Sequence, residues 1–148
     1  MVDDSKNLIR EPIGRIMANI GRMFMADLHR SLSHLEIERS YYPLLLIEAG
    51  NGSLTQQELA GKLSCDKVQV VRIIDYLSSN GYVERGQNPN DRRKTSLQIT
   101  LKAKKFLPDI KRAMKETTEL ALSNVPEHSI EELYALLKTI EKNFGTNK

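Results

Sequence analysis

The residues best able to do chemistry lie in the middle of the chain, where positive charge is concentrated. Between Lys62 and Lys105, ten lysines and arginines accompany four carboxylates, a net charge of +6. The whole chain carries +3, so the remaining residues together carry −3. Such a basic region favours a polyanion, because neutralising phosphates releases counterions condensed on nucleic acid. Solvated surface lysines would give the same charge, so the motifs within the region have to decide.

One segment of this region has the composition of a helix that reads DNA bases. Arginine matches guanine and glutamine matches adenine in the major groove, and small apolar side chains can touch thymine methyl groups. A helix that enters the groove does so mainly with its N-terminal residues. The alternative is that Arg72 only pairs with Asp75, one turn later. The residues predicted to contact DNA on this helix are Lys67, Val68, Gln69, Val71 and Arg72.

A second segment, from Gly86 to Lys94, combines turn-forming residues with cations. A guanidinium group on a protruding loop can enter a minor groove and sense its width and potential. We expect Asp91 to support the loop by an ion pair with Arg92 or Arg93, leaving the other arginine for the groove. The sequence does not distinguish the two arginines, and a plain solvated turn is the alternative. Lys94, at the end of this loop, is also predicted to contact DNA.

Two helix starts and a hairpin are predicted to position these segments. Thr55 to Glu58 and Asp66 to Gln69 each have the pattern of a capping box. After Gly81 the periodicity changes to two, which predicts short strands around Tyr82–Arg85 and Thr95–Ile99. A winged helix-turn-helix over about residues 54–100 is therefore predicted. Lys102, just beyond it, is expected to contact phosphate on any duplex.

Long amphipathic helices are predicted on both sides of this module, over about residues 8–35 and 101–144. Ser129 to Glu132 predicts a further capping box within the second range. The apolar faces exceed what one small lobe can cover, so we expect a homodimer. The predicted fold class is mainly α with a small β-hairpin: a winged helix-turn-helix lobe on a helical dimerisation body, in one domain over residues 1–148.

Five segments resemble the multiple antibiotic resistance regulator (MarR) family in order and spacing, and with the flanking helices the resemblance covers nearly the whole chain. Two positions depart from the family pattern: Ala103 stands where glycine is usual, and Asp66 where serine is frequent. The matching segments are Leu59-Ala60, Asp66 through Arg72, Leu77 to Arg85, Asp91-Arg92-Arg93 and Ile99-Thr100.

The resemblance implies a transcription regulator, by family habit a repressor, that binds a palindromic operator in double-stranded DNA as a homodimer. It implies that the first, fifth and sixth helices of both chains form the dimerisation body. It also implies a small-molecule effector between this body and the DNA-binding lobe. Met23, Phe24, Tyr41 and Tyr42 are candidates to line that pocket, although methionine and aromatic side chains at helical spacing also build cores.

Other classes of function have weaker support. The sequence has no phosphate-binding glycine loop, glycine-flanked nucleophile or paired His-Glu metal motif, so we expect neither an enzyme nor a bound metal or cofactor. Cys65 is the only cysteine, either a redox switch or a small buried side chain. No apolar stretch reaches bilayer length, so a cytoplasmic protein without membrane contact is expected. The rival function is a winged-helix adaptor that binds a protein instead of DNA.

Overall fold

A computed structural model describes residues 10–35, 37 and 40–145, and this part of the chain forms six helices and one two-stranded sheet. The predicted fold class, mainly α with a small hairpin, is confirmed. None of the described helices is long and apolar enough to cross a membrane. The elements are α1 (Ile13–Ser31), α2 (Tyr41–Ala49), α3 (Gln56–Leu63), α4 (Lys67–Ser79), β1 (Val83–Gln87), β2 (Thr95–Ile99), α5 (Leu101–Ala121) and α6 (Glu127–Gly145).

Both capping boxes that open the helix-turn-helix are present. The Thr55 hydroxyl accepts from the Glu58 amide at 3.2 Å, and the Glu58 carboxylate accepts from the Thr55 amide at 2.8 Å. Hydrogen bonding of the Glu58 carboxylate to Thr55, first to its backbone amide and then to its side chain, lowers the pKa of Glu58. In the second box, the Asp66 carboxylate accepts from the Gln69 amide at 2.8 Å, and the Gln69 side-chain oxygen accepts from the Asp66 amide at 3.4 Å. Helices α3 and α4 therefore start where the local sequence predicts.

The ends of the flanking helices differ from the sequence-based expectation. Helix α1 begins after Pro12 and ends at Ser31, and residues 8 and 9 of its predicted range lie outside the described residues. The predicted capping box at Ser129 is wrong, because α6 already begins at Glu127. The carbonyl of Pro126 accepts from the amides of Ser129 and Ile130. Because the fixed φ of proline suits a helix start, the first turn of α6 forms directly after Pro126. Ser129 therefore lies within this turn and not at the cap position.

The core lies where α4 packs between α2, α3 and the hairpin. Strands β1 and β2 pair antiparallel, from Val83 opposite Ile99 to Gln87 opposite Thr95. The Leu97 amide donates to the Leu54 carbonyl at 2.8 Å and attaches the segment before α3 to this sheet. We call α3, α4, β1, β2 and their connections the winged lobe. Its fully buried apolar side chains include Leu59, Val70, Ile74, Leu77, Tyr82, Val83 and Leu97.

Helices α1 and α5 pack against each other and continue the core away from the winged lobe. Leu28 and Leu32 from the end of α1, and Leu107 and Ile110 from α5, are buried there. Across this contact the Thr117 hydroxyl donates to the Asp27 carboxylate at 2.5 Å. Helix α6 contains no buried residue. The C-terminal helix is therefore not stabilised by the core of its own chain.

The capping box of α3 generates a prediction on stability. Thr55→Ala should lower the free energy of unfolding by about 1 kcal/mol, because the Glu58 amide loses its acceptor at the helix start. Urea unfolding followed by circular dichroism measures the change. The control is Gln57→Ala in the same turn, whose exposed side chain makes no hydrogen bond within the described residues. Equal stability of the two variants would show that the cap contributes nothing.

Candidate nucleic-acid interface

Helix α4 has one buried face and one exposed face, and the exposed face carries the residues predicted to read bases. Val70, Ile74 and Leu77 are fully buried in the lobe. Lys67, Val68, Gln69 and Arg72 are exposed on the other side, and Val71 is half-buried at its flank. Val68 keeps 60% of its surface exposed, so its methyl groups are accessible to an apolar group of a partner. The structure thus brings the predicted residues of this helix together.

Two polar side chains of this face, those of Gln69 and Arg72, differ in whether they already make a hydrogen bond or ion pair within the described structure. Gln69 uses its side-chain oxygen in the capping box with Asp66, at 3.4 Å from the backbone nitrogen. Its amide nitrogen remains as the group that can donate to a base. Arg72 forms no ion pair with any described residue. Its guanidinium group therefore has all five donors available, the arrangement that bidentate recognition of guanine requires.

The alternative role for Arg72, an ion pair with Asp75, is wrong. Asp75 pairs with Arg85 on β1, at 2.8 Å between the carboxylate and the guanidinium nitrogen. Sequence reasoning missed this pair because its members are ten residues apart and lie on different elements. The bond joins the exposed side of α4 to the first strand of the hairpin. It therefore contributes to the angle between the helix and the loop that follows β1.

The loop between β1 and β2, residues 88–94, is called the wing here, and Asn88 organises it from inside. Only 6% of Asn88 is exposed. Its side-chain nitrogen donates to the Ser53 carbonyl at 3.0 Å, and its side-chain oxygen accepts from the amides of Asn90 and Asp91 at 2.9 Å and 3.3 Å. Sequence reasoning counted Asn88 only among the turn formers. Its contact with Ser53, 35 residues earlier, depends on the tertiary fold.

The expected ion pair of Asp91 with a neighbouring arginine is wrong. The Asp91 carboxylate accepts from the Arg93 amide at 3.0 Å, and no ion pair joins it to Arg92 or Arg93 in the structure. The reason is local geometry: in a tight turn the backbone amide two residues later lies closer to an aspartate than any guanidinium group does. Asp91 contacts the loop backbone, and both arginine side chains and that of Lys94 are exposed.

An open cleft of about 540 Å³ lies between the start of α2 and the helix-turn-helix. Of the four predicted pocket residues, only Tyr42 lines it. Tyr41 is 2% exposed in the core, where burial and then the nearby Tyr76 raise the pKa of its hydroxyl. Tyr42, the next residue of α2, is 51% exposed, so the two tyrosines lie on different sides of the helix. Met23 is exposed and Phe24 half-buried on α1, so the single chain does not assemble the predicted pocket. The lining residues are Tyr42, Pro43, Leu63, Cys65, Gln69, Arg72 and Ile73.

Comparison with known proteins places this arrangement among transcriptional regulators. Residues 42–95 match the model of the MarR family. The chain is 31% identical over 108 residues, 73% of each protein, to the HTH-type transcriptional regulator BilQ of Clostridioides difficile (strain CD3).

Two solved structures extend the likeness to the flanking helices. A MarR transcriptional regulator from Methanosarcina mazei Go1 is 25% identical, with a TM-score of 0.74 over 92% of this chain and 98% of that one. A cysteine-to-serine mutant of MarR from E. coli, complexed with operator DNA, is 26% identical, with a TM-score of 0.75 over 90% of this chain and 95% of that one. The likeness therefore includes the helices outside the winged lobe.

The contacts of Asn88 predict how the wing responds to mutation. Asn88→Ala should cost about 1–3 kcal/mol of stability, because a buried carbonyl and two backbone amides lose their partner. Amide hydrogen exchange should become faster in residues 88–94. The matched control is Asn90→Ala, an exposed residue of the same loop whose side chain makes no hydrogen bond within the described structure. Similar behaviour of both variants would refute an organising role for Asn88.

Proposed function

This chain belongs to the MarR family of transcriptional regulators, and we propose that it is a repressor that binds a palindromic operator as a homodimer. The observation that carries the proposal is the exposed first turns of α4, where Lys67, Val68, Gln69 and Arg72 lie on the side opposite the buried face. This geometry suits a helix that inserts its N-terminal end into the major groove. The operator complex of the E. coli MarR mutant, similar over most of this chain, supports DNA as the partner.

We assign separate tasks to α4 and to the wing. Arg72 and Gln69 are the proposed readers of base edges, and Val68 covers a thymine methyl group. Val71, half-buried at the flank, lies beside this contact. In the wing, one of Arg92 and Arg93 enters the minor groove and Lys94 contacts phosphate. Their exposure and lack of ion pairs in the structure support these assignments.

The homodimer is proposed from apolar surface that the single chain leaves uncovered. Helix α6 buries no residue, and the N-terminal half of α1 buries none either. On each helix the exposed apolar residues recur at three-to-four spacing and so share one face. Contiguous apolar surface of this kind is normally covered by a partner. The large exposed side chains are Ile13, Ile16, Met17, Ile20 and Met23 on α1, and Leu133, Tyr134, Leu136, Leu137 and Phe144 on α6.

We further propose that a small-molecule effector releases the DNA by occupying the cleft beside α4. Apolar surface from Pro43, Leu63 and Ile73 lines this cleft together with the polar groups of Gln69 and Arg72. Apolar walls with few polar groups are typical of small-molecule sites. A ligand that engages Arg72 there would withdraw it from the bases. Effector and operator would then compete for one side chain.

The DNA-binding proposal is tested by measuring the affinity of full-length protein for a selected operator and for a random duplex at several salt concentrations. Wild-type protein should prefer the operator and bind both more weakly as salt rises. Arg72→Ala should reduce the preference by about 1–3 kcal/mol per half-site, because a base contact is lost. The control is Arg15→Ala, an exposed arginine of α1 outside the winged lobe. Absence of salt-dependent duplex binding by wild-type protein would favour the protein-binding adaptor.

Assembly is tested with a charge placed in the proposed dimer face. Leu137→Glu should convert a dimer into a monomer in sedimentation experiments at micromolar concentration, because burying an unpaired carboxylate is costly. Ala135→Glu is the control, since at about 100° per residue it lies on the opposite side of α6 from Leu137 and should leave the dimer intact. A wild-type protein that sediments as a monomer would refute the proposal directly.

A further inference from the structure

Three consecutive backbone carbonyls just beyond Ser79, the last residue of α4, accept hydrogen bonds from the start of α5. The Lys102 ammonium donates to the Asn80 carbonyl at 2.7 Å, and the Thr100 hydroxyl donates to the Gly81 carbonyl at 2.6 Å. The Thr100 amide donates to the Tyr82 carbonyl at 3.2 Å. The carbonyl of Asn80, the residue that ends α4, has no partner within the helix and needs another group. Here all three partners come from the two residues Thr100 and Lys102.

Lys102 is held at this position by packing as well as by its hydrogen bond. Its ammonium nitrogen lies 4.7 Å from the centroid of the buried Tyr82 ring, a cation–π contact. Gly81 has φ +78, and a Cβ added there would lie 3.5 Å from Cδ of Lys102. The aliphatic part of the lysine therefore runs along the backbone just beyond α4. A positive charge at this end also suits the dipole of α4.

These contacts differ from the role that the sequence predicted for Lys102. Lys102 is exposed, as Lys104 and Lys105 are, but of the three only Lys102 makes a side-chain hydrogen bond in the described structure. The Lys102 ammonium instead points to a carbonyl of its own chain. In the absence of DNA, one donor of this ammonium is therefore already bonded to the backbone just beyond α4.

We propose that Lys102 is a positioning residue for operator recognition, which fixes the C-terminal end of α4 to α5 so that the orientation of α4 follows that of α5. The inference rests on the proposed DNA-binding function. Helix α5 packs on α1, where Thr117 bonds Asp27, so the connection runs from helices outside the winged lobe to the helix that reads bases. The Asp75–Arg85 pair joins the same helix to the hairpin, and its capping box fixes its start.

A positioning residue and a phosphate contact have different consequences for binding. Loss of a phosphate contact weakens binding to every duplex alike and lowers the salt slope by about one. Loss of the connection to α5 leaves the number of neutralised phosphates unchanged but lets α4 tilt, which misplaces the base contacts. Affinity for the operator then falls more than affinity for random DNA. The preference for one spacing between the two half-sites weakens for the same reason.

The test compares Lys102→Met, which keeps the aliphatic length but removes the donor and charge, with the matched control Lys104→Met on the same exposed end of α5. Operator and random duplexes are titrated over a range of salt, with operators whose half-sites are one base pair closer or farther apart. Lys102→Met should reduce the ratio of operator to random affinity about fivefold or more, the scale of one misplaced base contact, with an unchanged salt slope. Lys102→Arg should restore most of the ratio, because a guanidinium group can donate to the same carbonyl.

Hydrogen exchange without DNA tests the connection independently of DNA binding. Amides of residues 79–82 should exchange several-fold faster in Lys102→Met than in wild type or Lys104→Met, while thermal unfolding confirms that all three are folded. If wild-type protein binds no duplex but this difference appears, the proposed function fails and the connection stands. Unchanged exchange, or an equal loss of affinity on operator and random DNA with a lower salt slope, overturns the positioning role.

Discussion

The structure depends on the division of α4 into two faces. Val70, Ile74 and Leu77 must be buried for the lobe to have a core, and this burial fixes the rotation of the helix about its axis. The opposite face, with Val68 and Arg72, is then exposed without any further interaction. Because hydrophobic burial is the dominant favourable term in folding, the energy that folds the lobe also presents the residues proposed to read DNA.

Burial sets the rotation of α4, and polar contacts set its ends. The Asp66–Gln69 capping box fixes the first turn, where base contacts are proposed. At the other end, Lys102 donates to the carbonyl of Asn80, which ends α4, and Thr100 donates to that of Gly81, the next residue. Each bond is individually modest, about 0.5–1.5 kcal/mol net. Together with the Asp75–Arg85 pair, they join α4 to α5 and to the hairpin.

The helices outside the lobe differ from α4, because the chain itself leaves much of their apolar surface exposed. Helix α6 has an apolar face but no buried residue, so the chain by itself leaves uncovered a surface that water disfavours. A second copy would cover this face and place two winged lobes at a defined separation, as a palindromic operator requires. The contact of α1 with α5, which includes the Asp27–Thr117 bond, would then link the proposed dimer helices to the helix that follows the winged lobe.

The sequence by itself determined the helix-turn-helix with both its capping boxes, the hairpin, the presence of long flanking helices and the exposed face of α4. These features depend on periodicity and on bonds between residues three apart, which the chain encodes locally. Only the tertiary structure decided the partners of Asp75, Asn88 and Lys102, which lie 10 to 35 residues away in the sequence. It also separated Tyr41 from Tyr42 and gave the Asp91 carboxylate a backbone partner. Such contacts depend on which groups packing brings within about 3 Å, and residue type alone does not specify that distance.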